Sequence, residues 1–333
     1  MAAVVLTADS DGPGPRFTSA RFNPARGLML ERLTALLPDR GFFDVVDEST
    51  RSRDDDFGNA AFSYGGAFLI PYANRITGRP GPERTIETEI AGKTVRLPAN
   101  WGGKGPGAPR YAMHGLILSS EVEVKVVEAD RVRGRLSAGD FGVGWPSSTE
   151  LEFDMRLQGQ RFSIRITAAN IGRERTPIGI GWHPYFHLPS GDRAQARLYV
   201  AAERRLAVDN YDSVLPTGEV ETLVGAPHDF ADGDGKALGD LYLDDCFVDL
   251  DGAGPCATFT DPAGGMSLSL TARPPVSAVQ VYAPPDKAFA AIEPQFNWAD
   301  PFSAVWPAGT DTGMVWLEPG QLTHYVVDLT LSG

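Results

Sequence analysis

Alternation of apolar and polar residues is the main local pattern in this 333-residue chain. In the segment 161–167, Phe162, Ile164 and Ile166 alternate with polar neighbours, and a period of two is typical of a strand with one buried face. Similar short segments recur along the chain. They predict strands at Arg16–Phe22, Phe62–Tyr72, Glu121–Val127, Glu150–Met155, Phe162–Ala169, Ala196–Ala201, Cys246–Leu250, Ala257–Thr260, Met266–Ala272, Ala278–Ala283 and Thr323–Leu329.

Helical periodicity is scarce. The 37 glycines and 26 prolines limit helix length and suit short strands joined by turns. Ala25–Leu37 is predicted as either part of a helix or a pair of strands, and Asp300–Val305 as a single helical turn. Ala99–Pro109 is predicted as a glycine-rich loop. We therefore expect an all-β, large antiparallel architecture with few short helices, and we expect residues 1–333 to form one domain.

Composition restricts the class of ligand. The hydrophobic content of 42% is enough for a sizeable core, and the net charge of −13 argues against nucleic acid or an anionic membrane as partner. Neutral or weakly charged ligands fit better. We see no signal peptide and no stretch of bilayer length, so the cytoplasm is the expected location. Cys246 and Cys256 are predicted to be buried free thiols.

One stretch, Gly179–Pro189, combines aromatic rings, imidazoles and backbone restrictions. Pro184 disfavours a helix here, and an extended chain would point His183, Tyr185 and His187 to one face and Trp182, Phe186 and Leu188 to the other. The four-residue spacing of the two histidines does not indicate zinc, because it lacks the helix and glutamate of a His-Glu-x-x-His site.

Carboxylates provide a second candidate for chemistry. Glu293 follows an apolar run and precedes Pro294. It is either a buried carboxylate, whose pKa would be raised toward the range useful to a general base, or an exposed residue at a strand end. Asp244 and Asp245 have a similar ambiguity, since they either bind a polyol or end a turn.

Polar residues at strand ends complete the candidate set. Asn74 and Arg75 follow an apolar segment and either offer hydrogen-bond donors to hydroxyl-rich ligands or form a surface salt bridge. His114, judged by residue type alone, is expected to be satisfied by a backbone carbonyl. Nearby aromatic residues are either flat surfaces on which sugar rings stack or parts of the core. They are Trp101, Trp182, Tyr185, Phe296 and Trp298.

These motifs also occur in a particular order. Along the chain they are Asn74-Arg75-Ile76, Asn100, His114-Gly115, His183-x-Tyr185-Phe186-x-Leu188, Asp244-x-x-Phe247, Glu293 and Leu317-Glu318-Pro319-Gly320. The set resembles that of the aldose 1-epimerases, also called galactose mutarotases, over approximately residues 17–331. The resemblance implies a galactose mutarotase-like β-supersandwich with a sugar cleft.

The resemblance also implies an activity and roles for individual residues. The chain would interconvert the α and β anomers of an aldose, with Glu293 as general base and His183 as general acid, both tuned toward neutral pKa values. His114 would steady the region of the ring oxygen. The residues expected to bind the sugar are Asn74, Arg75, Asp244, Tyr185 and Trp182. No redox or metal cofactor is required, and we expect a monomer or homodimer.

Some positions depart from the family pattern. Trp182 and His187 stand where many members have asparagine, and Leu-Ile-Leu follows His114-Gly115 in place of the more usual Phe-x-Arg. These departures concern sugar specificity more than the acid/base pair. The alternative function is a noncatalytic sugar-binding or sugar-sensing protein on the same scaffold, because a fold does not determine function.

Overall fold

The computed structural model describes residues 2–8, 11–48, 62–102 and 109–333. Within these ranges the regular structure is β-sheet with two 3-10 helices, Pro24–Arg26 and Arg193–Gln195, and no α-helix. The strands, in chain order, are β1 Val4–Thr7, β2 Arg16–Asn23, β3 Met29–Leu37, β4 Gly41–Val46, β5 Gly66–Leu69, β6 Arg75–Ile76, β7 Arg79–Pro80, β8 Thr85–Ile90, β9 Lys93–Pro98, β10 Trp101–Gly102, β11 Arg110–Met113, β12 Glu123–Val127, β13 Arg131–Gly139, β14 Thr149–Gln158, β15 Arg161–Asn170, β16 Thr176–Ile178, β17 Gly181–His187, β18 Arg197–Val200, β19 Ala202–Val208, β20 Pro216–Thr222, β21 Lys236–Ala237, β22 Leu243–Leu250, β23 Ala257–Asp261, β24 Met266–Ala272, β25 Ala278–Ala283, β26 Phe289–Gln295, β27 Val315–Leu317 and β28 Leu322–Ser332.

Two large sheets dominate the architecture. One has 11 strands in the order β1-β2-β3-β5-β17-β26-β25-β22-β19-β20, with β4 paired to β3, and the other has nine in the order β12-β13-β14-β15-β28-β24-β23-β18-β21. The small sheets are β10-β11-β6, β7-β8-β9 and β16-β27. Every pairing is antiparallel. The all-β, antiparallel prediction is therefore confirmed.

Alternation of apolar residues explains how the sheets pack. In β15, Phe162, Ile164 and Ile166 are at most 1% exposed, and they join one hydrophobic core with residues of the other sheet such as Leu30 and Phe186. Burying one apolar face of each sheet against the other stabilises a sandwich by removing both faces from water. The outward face of β14 is polar, whereas β5, β17 and β26 of the 11-stranded sheet are buried on both faces.

Most of the predicted strands are present with ends shifted by a few residues. The Phe62–Tyr72 prediction is too long, because only Gly66–Leu69 forms a strand. The helical alternative for Ala25–Leu37 is wrong, since a 3-10 helix is followed there by β3, whose alternate residues enter the core. The segment Asp300–Val305 is a turn closed by the bond from Ser303 N to Asp300 O, with no helix.

Other predictions concern single features. Cys246 and Cys256 are buried and free, as predicted. The glycine-rich loop Ala99–Pro109 lies partly outside the described residues, since the description stops at 102 and resumes at 109. Among the described helices, none has the length and apolar character needed to cross a membrane.

Candidate active site

Strand β17 lies in the interior of the 11-stranded sheet, between β5 and β26. Trp182 and Phe186 point into the main core, whereas His183 and Tyr185 point to the opposite face of the sheet. The predicted division of this segment between two faces is confirmed. Its strand geometry places an imidazole and a phenol side by side, with ring centres 5.0 Å apart.

An acid and a base meet on this face. His183 Nε2 lies 3.2 Å from Glu293 Oε1, and the two residues are 4% and 1% exposed. The ring of His114, 5% exposed, lies 4.9 Å from the ring of His183. We call His114, His183 and Glu293 the proton-transfer cluster. The buried alternative for Glu293 is therefore correct, and the exposed alternative is wrong.

Each member of the proton-transfer cluster has a buried polar atom without a hydrogen-bond partner among the described residues. These atoms are Nδ1 of His114, Nδ1 of His183 and Oε2 of Glu293. Unpaired buried polar atoms are costly and uncommon. Their concentration at one place indicates a site built to receive hydrogen bonds from a ligand.

Burial also sets the protonation of the cluster. Burial raises the pKa of Glu293 well above its usual value, the nearby Asp244 carboxylate raises it further, and Arg75 opposes the shift. Burial lowers the pKa of His183 to about 3, with Arg75 adding to the effect. Both shifts favour the uncharged forms, a protonated Glu293 and a neutral His183. We expected both pKa values near neutrality, and that expectation is wrong for His183.

His114 is neutral for related reasons. Its pKa is lowered well below the usual value by burial, and the neighbouring His183 and Arg75 lower it further. A neutral imidazole carries one donor and one acceptor nitrogen. The expectation that a backbone carbonyl satisfies His114 is wrong for Nδ1, which has no such bond among the described residues. His114 is instead part of the site.

Four polar side chains beside the cluster close a ring of hydrogen bonds. Asn74 Nδ2 donates to Gln280 Oε1 (2.8 Å), and Gln280 Nε2 donates to Asp244 Oδ1 (2.7 Å). Arg75 closes the ring by donating to Asp244 Oδ2 (3.3 Å) and to Asn74 Oδ1 (3.0 Å). We call these four residues the hydroxyl-binding ring. Because each fixes its neighbour, their remaining donors and acceptors point in defined directions.

The Arg75–Asp244 pair is buried, with side chains 6% and 14% exposed. The surface salt bridge considered for Arg75 is therefore wrong. Burial raises the pKa of Asp244, while the charge of Arg75 lowers it. Asp245, the neighbouring residue, is fully buried and instead bonds Arg205 Nη1 at 2.6 Å. The two aspartates thus have separate roles.

Unusual backbone conformations hold these side chains in place. Asn74 and His114 have positive φ angles of 60° and 61°, a region that asparagine and histidine enter more readily than most residues. His114 N donates to Asn74 O at 2.9 Å. Next to it, a Cβ on Gly115 would lie 2.4 Å from Ile70 O, so only glycine fits. The two loops therefore approach each other closely.

Two asparagines act as braces for these loops. Asn100 Oδ1 accepts a hydrogen bond from Met113 N at 2.8 Å, and Asn100 Nδ2 donates to Met113 O at 3.0 Å. Asn297 does the same for Ala73, accepting from its N at 3.0 Å and donating to its O at 2.9 Å. Each asparagine amide bonds both backbone groups of one residue, as a neighbouring strand would. Those residues, Met113 and Ala73, directly precede His114 and Asn74. Asn100 fits the family motif, whereas sequence reasoning did not single out Asn297.

Aromatic residues enclose the cluster from one side. The Phe62 ring lies 4.7 Å from the ring of His114 and 5.8 Å from that of Trp101, which is 36% exposed. Trp101 is thus near the site, as predicted for an aromatic surface. Phe296 belongs to the main core, and Trp298 packs against Trp306 in a separate cluster.

Trp182 requires a correction. We expected it to bind the sugar, but its side chain is fully buried in the main core, 6.0 Å from the Phe162 ring centre. Its position one residue before His183 on a strand dictates this, because adjacent side chains point to opposite faces. Trp182 packs against the main core on one face of β17, whereas the candidate site lies on the other face.

The remaining histidines lie apart from the proton-transfer cluster. His187 Nε2 is 3.2 Å from Asp47 Oδ1. His324 Nδ1 is 3.0 Å from Thr167 Oγ1 on the neighbouring strand. His228 is half-buried in a loop.

The proton-transfer cluster also contains a set of metal-ligand atoms. His114, His183 and Glu293 each offer one, and these atoms lie within 4.8 Å of one another. Two neutral imidazoles and a carboxylate suit Zn²⁺. The sequence pointed only to the His183/His187 spacing, so it missed this grouping. A metal held here would occupy the lone pairs that proton transfer requires.

Gln280 is the main site residue missed in the sequence. It lies in β25, where Val279 and Val281 flank it, and it is 3% exposed. A polar amide inside an apolar strand is an informative exception, because buried polar groups need partners. That signal was available but was not used.

A buried carboxylate–imidazole pair beside a ring of fixed polar side chains defines the candidate site of this antiparallel β-sandwich. The family model described as aldose 1-epimerase matches residues 33–330. This chain therefore belongs to the aldose 1-epimerase family, as the sequence motifs predicted.

Solved structures share the fold. A GalM/aldose epimerase homologue from C. elegans is 21% identical with a TM-score of 0.74, covering 99% of this chain and 98% of that chain. A galactose mutarotase-like protein from Clostridium acetobutylicum is 19% identical with a TM-score of 0.74, covering 96% and 94%. A galactose 1-epimerase from Lactobacillus acidophilus is 17% identical with a TM-score of 0.66, covering 99% and 98%. No curated protein sequence matches this chain.

Proposed function

We propose that this protein is an aldose 1-epimerase that interconverts the α and β anomers of an aldose. The observation that carries the proposal is the buried contact of 3.2 Å between His183 Nε2 and Glu293 Oε1 beside a ring of hydroxyl-binding side chains. Membership of the family supports it. The activity requires two groups that exchange protons with one anomeric centre, and this pair supplies them.

Ring opening uses the pair with its proton on His183. The Glu293 carboxylate takes the proton of the anomeric hydroxyl, whose electron pair forms the C1 carbonyl. The bond from C1 to the ring oxygen breaks, and that oxygen takes the proton from His183. The open chain rotates about C1–C2, and closure with both transfers reversed gives the other anomer. Atoms and charges balance without a cofactor.

The resting protonation of the pair prepares the second half of this cycle. With the proton on Glu293 and a neutral His183, the empty site has the proton arrangement that receives an open-chain sugar. Binding of the cyclic form requires that proton to move to His183 across the 3.2 Å contact. The charge of Arg75 lowers the pKa of both groups, so it favours the Glu293 carboxylate and disfavours the protonated His183.

The other site residues position the sugar. Neutral His114 faces the region of the ring oxygen, and the hydroxyl-binding ring holds the hydroxyls through charge-assisted bonds from Arg75 and to Asp244. Tyr185 forms part of the floor next to His183. We propose that the protein works in the cytoplasm as a monomer or homodimer, on a neutral sugar.

The test is the rate of anomer exchange, measured by polarimetry or NMR over a panel of hexoses, pentoses and acidic sugars. We expect wild type to accelerate exchange of at least one sugar, and Glu293→Gln and His183→Ala each to slow it roughly a hundredfold or more. Equal rates with and without wild-type protein over the whole panel would reject the proposal. Saturable sugar binding with no acceleration would favour the noncatalytic alternative.

A further inference from the structure

The floor of the candidate site continues beyond the acid/base pair in ordered rows. Glu293 pairs across strands with Gln280, and the next row along the sheet contains Tyr185, Ala291, Tyr282 and Asp244. Alternate residues of a strand share a face, and consecutive rows on one face lie about 6.6 Å apart. That step is comparable with the size of one sugar ring. The sheet therefore presents a second position one sugar unit away from the reacting centre.

A continuous series of aromatic rings begins in this row and crosses the sheet. Tyr185 stacks on His183 and lies 5.1 Å from Phe289, which lies 6.3 Å from Tyr282. From Tyr282 the series continues to Tyr242 at 6.3 Å and from there to Tyr211 at 5.1 Å, measured between ring centres. We call these rings the tyrosine platform. They are Tyr185, Phe289, Tyr282, Tyr242 and Tyr211.

Exposure increases along the tyrosine platform. Tyr185 and Phe289 are 6% and 8% exposed, Tyr282 and Tyr242 are half-buried, and Tyr211 is 40% exposed. The surface thus runs from the deep proton-transfer cluster to the solvent. Such a gradient fits a ligand that reacts at one end and extends outward at the other.

The exposed end of the platform is held in place. The Tyr211 hydroxyl donates to both carboxylate oxygens of Asp245 at 3.1 Å, and Asp245 is fully buried and bonded to Arg205. An unconstrained surface tyrosine would have rotamer freedom, and fixing it costs entropy. A buried carboxylate that orients an exposed ring therefore prepares a binding surface in advance, which lowers the cost of binding.

The chemistry of this surface selects its occupant. Tyrosine offers a flat apolar face together with a hydroxyl that donates and accepts hydrogen bonds. Its rings carry no cation to attract a phosphate or carboxylate, and the guanidinium groups of Arg205 and Arg75 are paired with carboxylates, Arg205 with Asp245 and Glu221 and Arg75 with Asp244. A neutral ring with an apolar face and hydroxyl edges matches, and a sugar unit has this character.

We propose that the tyrosine platform is a second sugar subsite, so that the preferred substrate is a reducing disaccharide or longer oligosaccharide. Its reducing-end ring lies over Glu293 and His183, and the next unit packs in the corner between the rings of Tyr282 and Tyr242, which meet at 79°. This inference rests on the proposed epimerase function and names the substrate class of the same site.

The test compares each reducing disaccharide with its own reducing-end sugar. Maltose, cellobiose and lactose all end in glucose, so anomer exchange is measured for each of them and for glucose. We expect kcat/KM for at least one disaccharide to exceed that for glucose. Tyr242→Ala is expected to lower the disaccharide-to-glucose ratio of kcat/KM roughly tenfold, whereas Tyr242→Phe, which keeps the ring, should retain most of it.

The matched control is Tyr199→Ala, because Tyr199 is a half-buried tyrosine on β18 of the other large sheet. If wild type turns these sugars over, an unchanged ratio in Tyr242→Ala, or no disaccharide preferred over glucose, would overturn the subsite. Calorimetric titration of Glu293→Gln with the same sugars separates the two proposals. If no sugar is turned over, the epimerase proposal fails, and tighter disaccharide binding that Tyr242→Ala removes still supports the subsite.

Discussion

The proton-transfer cluster and the hydroxyl-binding ring lie side by side, but they differ in how many of their polar atoms have hydrogen-bond partners. The ring closes on itself, with each of its four side chains bonded to two others. The cluster has a single contact of 3.2 Å and three buried atoms without described partners. Under the proposed function, the groups that hold the sugar are fixed beforehand, whereas the groups that exchange protons are left unsatisfied. The predictions below test this division.

The largest effect should come from the proton-transfer cluster acting as a unit. Glu293→Gln combined with His183→Ala should slow anomer exchange by about as much as either change alone, roughly a hundredfold or more, because groups that share one proton are not additive. NMR exchange rates at saturating sugar measure it. Glu318→Gln, at an exposed position, is the control, and a double variant that multiplies the two single losses would contradict a shared role.

A smaller effect should follow from opening the hydroxyl-binding ring. Gln280→Ala removes the partner of Asn74 Nδ2 and of Asp244 Oδ1. Losing oriented hydrogen bonds worth about 1–2 kcal/mol should raise KM roughly tenfold and change kcat less. Steady-state polarimetry separates the two constants. Gln158→Ala on the exposed side of β14 is the control, and a loss confined to kcat would place Gln280 in proton transfer instead.

The pH profile of kcat/KM should be flatter than for a glutamate–histidine pair with ordinary pKa values. A free glutamate and histidine, titrating near 4.3 and 6.5, would hold one proton only between those values. Here the pKa of His183 is lowered to about 3 and that of Glu293 is raised. A second proton is therefore added only near pH 3, and the shared proton is lost only above the raised pKa of Glu293. Rates that follow a narrow bell between the ordinary values of about 4.3 and 6.5 would contradict this protonation.

The smallest effect concerns stability. Because the folded state raises the pKa of Glu293 above its unfolded value, it binds a proton that the unfolded chain releases, so stability falls as pH rises from about 4.3 toward the folded pKa. Glu293→Gln removes this penalty and should raise the melting temperature by a few degrees at pH 8 and by less at pH 5. Circular dichroism melts at both pH values measure it. A lower melting temperature for the variant at pH 8 would show that the carboxyl stabilises the fold.

Local patterns in the sequence predicted much of the fold and the outline of the site. A period of two located β15 and β24 to within a residue, because one face of each strand is buried. The motifs placed His183 and Glu293 together although 110 positions separate them. Protonation was not predictable in the same way, since it depends on burial by segments distant in the chain. Trp182 was misassigned because its motif position was given more weight than the alternation that points it inward.

The location of the acid/base pair on β17 and β26 has a consequence for how this protein loses activity. Both strands are in the interior of the 11-stranded sheet, with several strands between them and either edge. Backbone amides in such strands exchange with solvent mainly through global opening, while edges and loops fray at lower cost. Fraying at the periphery therefore leaves the reacting atoms aligned. On heating, inactivation should coincide with cooperative melting of the whole sandwich, with no earlier stage in which the fold persists and the pair has separated.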